Sequence, residues 1–112
     1  MQFTNWVEHT KHVKQSFGKL AQKHPKMIDA YKALAVAPAA ESLDKKTREL
    51  ISLAVAITTQ CESCISVHAE EAIKAGATES EVAGALATAI AMNAGAAYTY
   101  ALRTLEAIET QN

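Results

Sequence analysis

Apolar side chains recur every three or four residues along most of this chain, and no segment alternates apolar and polar residues as a β-strand does. Only four glycines and two prolines interrupt the 112 residues, which favours long helices. The sequence therefore predicts an all-α fold of about six helices. This length suits one domain, and we expect that domain to cover residues 1–112.

Capping and breaking signals set the expected boundaries in the first half of the chain. A first helix should run from about Thr4 to Lys23 and close at His24-Pro25, because a residue before proline avoids the helical region. A second helix should end near Ala37, and residues 38–43 should form a loop. Asp44 or Ser42 should cap a third helix, which is apolar on most sides, is therefore expected to be buried almost all round, and ends at a break over residues 58–60.

The second half shows equally clear signals. A fourth helix should begin near Cys61 and end at Gly76, which suits the left-handed position after a helix. Thr78 and Glu81 have the spacing of a capping box, and they should begin a fifth helix that reaches about Met92. Residues 93–95 (Asn-Ala-Gly) should break or kink it before a last helix that passes Ile108. The third and fourth helices should form a central hairpin.

Composition points to an oligomer. The chain has 23 alanines but just six aromatic residues, so each side chain can bury little apolar area. A core built in this way is thin for a monomer of this size. We therefore expect subunits to share apolar surface.

Charge argues against two classes of partner. Eleven basic and twelve acidic residues are spread along the chain, without the basic cluster that nucleic acid or an anionic membrane would require. The first residues lack the apolar segment of a secretory signal. The most apolar stretch, Val82 to Ala97, looks too short and too weakly hydrophobic to span a bilayer. We expect a cytoplasmic protein without nucleic-acid or membrane partners.

The chemistry is concentrated in one motif, Cys61-x-x-Cys64-x-x-x-His68. On a helix these three side chains form one stripe, with Cys61 at the helix start, where free N–H groups and the helix dipole favour negative charge. Such surroundings lower the pKa of a thiol. One helical turn also brings the two sulfurs within disulfide reach. Two closely spaced cysteines in a reducing compartment are typical of redox or metal sites.

Other readings of the cysteine pair are weaker. A buried structural pair is the plainest alternative. A closed zinc site needs four ligands, whereas this motif supplies three. A c-type haem site needs histidine directly after the second cysteine, where Ile65 stands, and a thioredoxin motif needs a βαβ context. We therefore expect redox chemistry with no metal and no cofactor.

His68 and Glu49 are the candidate acid–base groups. His68 lies on the cysteine stripe and suits a base, while Glu49, at the front of an otherwise apolar helix, suits a group that orients it. A solvated first-turn glutamate is an equally good reading. Glu49 lies ~16 Å and His68 ~10 Å from the break at 1.5 Å per residue, so a crossing angle or bridging water would be needed. The other histidines (His9, His12 and His24) are expected to be solvated.

This pattern resembles a known family. Arg48-Glu49-Leu-Ile-Ser-Leu-Ala, the Cys61–His68 motif, Ala72 and Gly76-Ala-Thr78 look like the alkylhydroperoxidase AhpD-like group of the carboxymuconolactone decarboxylase family, in its short form. The similarity covers about Leu43 to Ala97. The resemblance implies an all-helical fold assembled as homotrimers or homohexamers. One departure is Ser63, which stands where AhpD proper has a histidine.

The resemblance also implies roles for the site residues. Cys64 would attack an organic hydroperoxide and become a sulfenic acid, and Cys61 would resolve it as a disulfide. His68 would take the thiol proton, with Glu49 behind it. A reducing thiol or dithiol partner would reopen the disulfide at Cys61. The leading hypothesis is thus a thiol-dependent peroxidase. A lactone decarboxylase and a non-enzymatic, thiol-switched oligomer are the alternatives.

Overall fold

The predicted all-α class is confirmed. A computed structural model describes residues 4–40 and 42–111, except for the side chains of residues 39 and 40. Within these residues it contains no strand and five α-helices joined by short connections. They are α1 (Trp6–Lys23), α2 (Pro25–Val36), α3 (Lys45–Thr58), α4 (Glu62–Lys74) and α5 (Glu79–Gln111), with a 3₁₀ helix over Ala37–Ala40.

Most predicted boundary signals are confirmed. Pro25 occupies the first turn of α2, and Asp44 caps α3 by accepting the Thr47 N–H at 2.7 Å. Gly76 has a φ of 87°, the left-handed conformation that ends α4. Thr78 and Glu81 form the capping box before α5, with reciprocal bonds of 3.0 and 3.1 Å.

Two boundary predictions are wrong. The segment predicted as a loop from residue 38 begins with the 3₁₀ helix, because Pro38 at the start of a helical turn needs no N–H partner; residue 41 lies outside the described residues. The predicted break at 93–95 does not occur, and α5 is continuous. Asn93 donates to Ala89 O at 2.7 Å and to Thr58 Oγ1 at 2.9 Å, so its amide shares the carbonyl one turn back along α5 and also bonds to α3 without ending the helix. Gly95 costs about 1 kcal/mol, too little to end a helix among alanines.

The predicted central hairpin is present, and it positions the site. Lys45 at the start of α3 pairs with Glu71 near the end of α4 at 2.6 Å, so the two helices run antiparallel. The first half of α5 packs against them. Leu53 of α3, Ala72 of α4 and Ala77 of the following turn form the buried cluster, with Val82 and Leu86 against it.

A polar contact fixes α1 to α4. Thr10 and Ser66 are 5% and 3% exposed, and their hydroxyl groups hydrogen-bond to each other. Thr10 also donates to Trp6 O at 2.9 Å, and Ser66 lies 3.4 Å from the same oxygen. Lys14 then pairs with Glu70 one turn further along both helices, at 3.1 Å. These contacts hold the first half of α1 beside the middle of α4.

Much apolar surface is left uncovered in a single chain. Ile51 and Val55 are 48% and 55% exposed, so the prediction that α3 is buried almost all round is wrong for one subunit. The second half of α5 exposes large apolar side chains, among them Tyr98, Leu102 and Leu105. The radius of gyration is 18.3 Å, whereas a compact chain of this length has about 13 Å.

The length of α5 bears on whether its apolar segment could span a bilayer. By length and composition alone, this 33-residue helix is apolar enough to cross a membrane. Core helices of soluble proteins meet the same criterion, so this observation is weak support for a span. The expectation that the stretch is too short to span is therefore wrong, since the helix extends well beyond residue 97.

Candidate functional site

The two cysteines stand at the turn between α3 and α4. Gln60 adopts a left-handed φ of 55°, and Cys61 follows it as the N-cap of α4. Cys61 and Cys64 are joined by a disulfide, so the pairing predicted from their spacing is present. The Cys64 N–H points to Cys61 Sγ at 3.2 Å. This backbone donor and the helix dipole favour negative charge on that sulfur when the disulfide is open.

Glu49 and His68 form a direct pair across the hairpin. His68 Nδ1 lies 2.6 Å from Glu49 Oε2. The offset calculated from the sequence does not exist, because the chain doubles back within the predicted break at residues 58–60 and not at its end. Cys61 N–H bonds to Ala56 O at 3.0 Å, which centres the hairpin near residues 58 and 59 and sets Glu49 opposite His68. Neither a bridging water nor an unusual crossing angle is needed.

Burial makes this pair more than a surface contact. The Glu49 side chain is 11% exposed and that of His68 is 35% exposed. A carboxylate so far from water needs a hydrogen-bonded partner, and the imidazole supplies one. Because Nδ1 is held by the carboxylate, Nε2 is the nitrogen of His68 that can exchange a proton with a reacting group.

An apolar groove reaches His68. A cavity of about 450 Å³ lies between α1, α2 and α4, and Val67 and His68 form its wall on α4. Phe17 and Tyr31 stack at its edge with their ring centroids 6.1 Å apart. Two lysines, Lys14 and Lys32, also border it. The groove can take the hydrocarbon part of a small substrate beside a proton-exchanging imidazole.

Cys61 has different surroundings. It borders an open depression of about 740 Å³, together with Gln60, Glu62 and Ser63. The Ser63 hydroxyl lies 3.5 Å from Cys61 Sγ. Cys61 thus faces a broad opening, whereas the next turn of α4 carries His68 against the narrower apolar groove. Cys61 and His68 therefore border two different cavities.

The structure joins the four predicted site residues in two pairs, the Cys61–Cys64 disulfide and the His68–Glu49 hydrogen bond, with Cys64 and His68 one turn apart on α4. It also corrects one expectation, because His9 is not solvated. Its Nε2 is buried and has no hydrogen-bond partner among the described residues, while His12 and His24 are exposed. Within residues 4–40 and 42–111, no group of three or more histidine, cysteine or acidic side chains is placed to hold a metal ion.

Comparison with known sequences decides the family. The sequence model of the carboxymuconolactone decarboxylase family matches residues 22–107, which include all four site residues. The chain belongs to the carboxymuconolactone decarboxylase family. The AhpD-like group named from the cysteine motif lies within this family, so that resemblance is confirmed. The matched range extends beyond the Leu43 to Ala97 segment on which the resemblance rested.

Relatives and solved structures agree with this assignment. An uncharacterized protein of Haemophilus influenzae is 69% identical over 110 residues, which cover 97% of each chain. Uncharacterized protein 4 in the cox locus of Paracoccus denitrificans is 37% identical and covers 84% of this chain and 86% of its own.

A carboxymuconolactone decarboxylase family protein from Legionella pneumophila has a crystal structure with a TM-score of 0.75 and 34% identity, covering 93% of this chain and 94% of its own. A Methanobacterium thermoautotrophicum protein has a TM-score of 0.70 and 34% identity, covering 76% and 97% respectively. The helical arrangement is therefore shared with both of these solved structures.

Proposed function

We propose that this member of the family is a thiol-dependent peroxidase that reduces organic hydroperoxides. The observation that carries the proposal is the Cys61–Cys64 disulfide one turn before His68, which is itself hydrogen-bonded to the buried Glu49. A pair that closes as a disulfide can pass two electrons to a substrate. An imidazole held by a carboxylate can move the protons that such a transfer requires.

The first half-reaction takes place at Cys64. His68 takes the thiol proton, and the thiolate attacks the distal oxygen of the hydroperoxide, so that an S–O bond forms as the O–O bond breaks. The sulfur becomes a sulfenic acid, and the alkoxide takes the proton back from His68 and leaves as an alcohol. Glu49 stabilises the imidazolium in between. We assign the attack to Cys64 because it lies on the His68 side of the disulfide.

The second half-reaction closes and reopens the disulfide. The Cys61 thiolate displaces hydroxide from the sulfenic sulfur, and water leaves. A dithiol partner then attacks Cys61, which borders the wide opening, and a second thiol of the partner completes the exchange. In total, one hydroperoxide and one dithiol give one alcohol, one water and one disulfide of the partner. This chemistry suits a cytoplasmic, reducing environment.

We also propose that the protein works as a homo-oligomer, a trimer or hexamer. The accessible surface of the single chain is 8804 Å², whereas a folded monomer of 12.0 kDa has about 6,000 Å². The excess of roughly 2,800 Å² lies in the range that obligate homo-oligomers bury. Exposed apolar side chains on α3 and α5 supply the surface that a second copy would cover.

Lactone decarboxylation is the second candidate, since the family takes its name from it. That reaction requires no pair of cysteines, so the disulfide favours the redox proposal. The two are separated by a variant in which Cys61 and Cys64 are both serine. A decarboxylase would keep its activity on a lactone substrate, and a peroxidase would lose all turnover.

The direct test is steady-state turnover of cumene hydroperoxide with dithiothreitol as the reductant. We expect Cys64→Ser to abolish turnover, and Ser80→Ala, an exposed position in the first turn of α5, to leave it unchanged. Cys61→Ser should accumulate a sulfenic acid on Cys64, which dimedone traps and mass spectrometry locates. A sulfenic acid on Cys61 in the Cys64→Ser variant would reverse the two roles, and undiminished turnover by Cys64→Ser would rule out the mechanism.

A further inference from the structure

A second imidazole shares a cavity with a residue that stands between the two cysteines. His9 of α1 and Ser63 of α4 line one cavity of about 360 Å³, which is small for a ligand site but large enough for solvent. Other residues of α1 form the rest of the cavity wall. Ser63 connects this cavity to the disulfide, because its hydroxyl lies 3.5 Å from Cys61 Sγ.

His9 is chemically unsatisfied where it stands. Its Nε2 is buried without a hydrogen-bond partner among the described residues. A buried nitrogen without a partner destabilises the fold, and such groups are rare enough to need a reason. The Trp6 ring meets the His9 ring edge-on at 5.5 Å and leaves it no polar contact on that side. Thr10, the next residue, is bonded to Ser66, so the position of His9 beside α4 is fixed by packing.

We propose that His9 is the proton acceptor for Cys61, acting through the Ser63 hydroxyl, as His68 is for Cys64. The inference rests on the proposed function, and it assigns a separate imidazole to each sulfur. In the resolving step, the Cys61 proton passes to Ser63 Oγ while the Ser63 proton passes to His9 Nε2, which must turn towards the cavity because in this structure it has neither a hydrogen-bond partner among the described residues nor contact with solvent. The Cys61 thiolate then forms the S–S bond as the S–O bond at Cys64 breaks. The departing hydroxide takes up one proton, which balances the one that His9 has removed.

Other charged groups border the same region and must be distinguished from His9. His12 lines the cavity from α1, and Glu62 borders the open side of Cys61 from α4. Glu8 and Lys11 flank His9 on its own helix, 3.8 Å apart from each other. Of these groups only His12 carries an imidazole and also lines the cavity. His12 is therefore the necessary comparison, and exposed His24 is the control.

The test uses Cys61 alone, so it does not depend on peroxide turnover. In a Cys64→Ser background, the rate of Cys61 alkylation by iodoacetamide is measured from pH 5 to pH 10. His9→Gln should raise the apparent pKa of Cys61 by about one, which is about a tenfold lower rate at neutral pH. Ser63→Ala should raise the apparent pKa of Cys61 in the same way. Because this substitution lies on α4, it shows whether the effect of His9→Gln arises only from detachment of α1. His24→Gln should match the parent.

Each other result overturns the assignment. An unchanged pH profile in both His9→Gln and Ser63→Ala would exclude the route, and a shift caused by His12→Gln alone would move the role to His12. In the two-cysteine protein, His9→Gln should prolong the lifetime of the dimedone-reactive sulfenic acid on Cys64. If peroxide never oxidises Cys64 while the alkylation profile shifts as expected, the peroxidase proposal fails and the His9 assignment stands.

Discussion

Glu49 and His68 meet across the α3–α4 hairpin, with Oε2 of the carboxylate 2.6 Å from Nδ1 of the imidazole. The carboxylate comes from the helix that carries the core leucine Leu53, and the imidazole comes from the helix that begins with the redox pair. This contact links the buried core to the reactive sulfurs. It also fixes which imidazole nitrogen is left for proton exchange.

Glu49→Gln tests the value of this contact. Glutamine has nearly the same shape and can still hydrogen-bond to His68, but it cannot stabilise an imidazolium. We expect the second-order rate constant for thiol loss with cumene hydroperoxide to fall about 10²-fold or more, as loss of an acid–base group does. Stopped-flow kinetics of the reduced protein provide the measurement. Glu71→Gln, which removes a carboxylate paired with Lys45 on the outside of the same hairpin, should change the rate little; equal losses in both variants would contradict a special role for Glu49.

The stability of the first turn of α5 should depend on pH. The Lys46 ammonium, and then the Thr78 backbone N–H, hydrogen-bond the Glu81 carboxylate and lower its pKa from 4.5 to about 2. The pKa of Glu81 is lower in the folded protein than in the unfolded chain. The stabilisation that the Glu81 contacts contribute is therefore complete above pH 4.5 and is lost as the pH falls from 4.5 towards 2. Glu81→Gln keeps the capping geometry but removes the charge.

Urea unfolding at pH 6, 4 and 2.5, at one protein concentration, measures this effect. The difference in unfolding free energy between the parent and Glu81→Gln should shrink as the pH falls. Glu109→Gln, near the other end of α5, controls for the loss of one carboxylate. A difference that stays constant across the three pH values would show that the Lys46 and Thr78 contacts do not act through the charge of Glu81.

Assembly should depend on the apolar stripe of α5. Tyr98, Leu102 and Leu105 stand four and three residues apart, so they share one face of the helix, and all are more than half exposed. Leu105→Lys should shift the protein towards monomer in size-exclusion light scattering. Thr104→Lys adds the same charge to a neighbouring position that points well away from the stripe, and it should leave assembly intact. A parent protein that is already monomeric would contradict the proposed oligomer.

Docking of α1 should depend on the Thr10–Ser66 contact. Ser66→Ala leaves the buried Thr10 hydroxyl with one partner fewer, which should cost about 1 kcal/mol of unfolding free energy. Amide hydrogen exchange should increase in the first half of α1 more than in α3. Ser80→Ala, at an exposed position, is the matched control. Uniform exchange throughout the protein would mean that α1 is held by other contacts.

Local signals predicted much of this fold because they act over a few residues. The caps at Asp44 and Thr78 and the left-handed Gly76 all stand where the sequence indicated. The stripe of Cys61, Cys64 and His68 also follows from spacings within one helix. The continuity of α5 goes against the local signal of Asn93 and Gly95, and Asn93 instead bonds to Thr58 of another helix, a contact that the sequence does not reveal.

The remaining features of the site depend on distant contacts. The facing of Glu49 and His68 requires the hairpin to turn at residues 58 and 59, which the Cys61 to Ala56 bond decides. The burial of His9 requires α1 to lie on α4, which no spacing within α1 reveals. His9 also lies before residue 22, where the family match begins, so the resemblance carried no information about it.

The central claim is that Cys61 and Cys64 pass two electrons to a hydroperoxide. The most direct measurement counts free thiols on the fully reduced protein before and after one equivalent of cumene hydroperoxide, with mass spectrometry to locate any new bond. We expect both thiols to disappear within seconds and a Cys61–Cys64 disulfide to form. Thiols that persist for hours would contradict it, and the pair would then be structural or would serve another reaction.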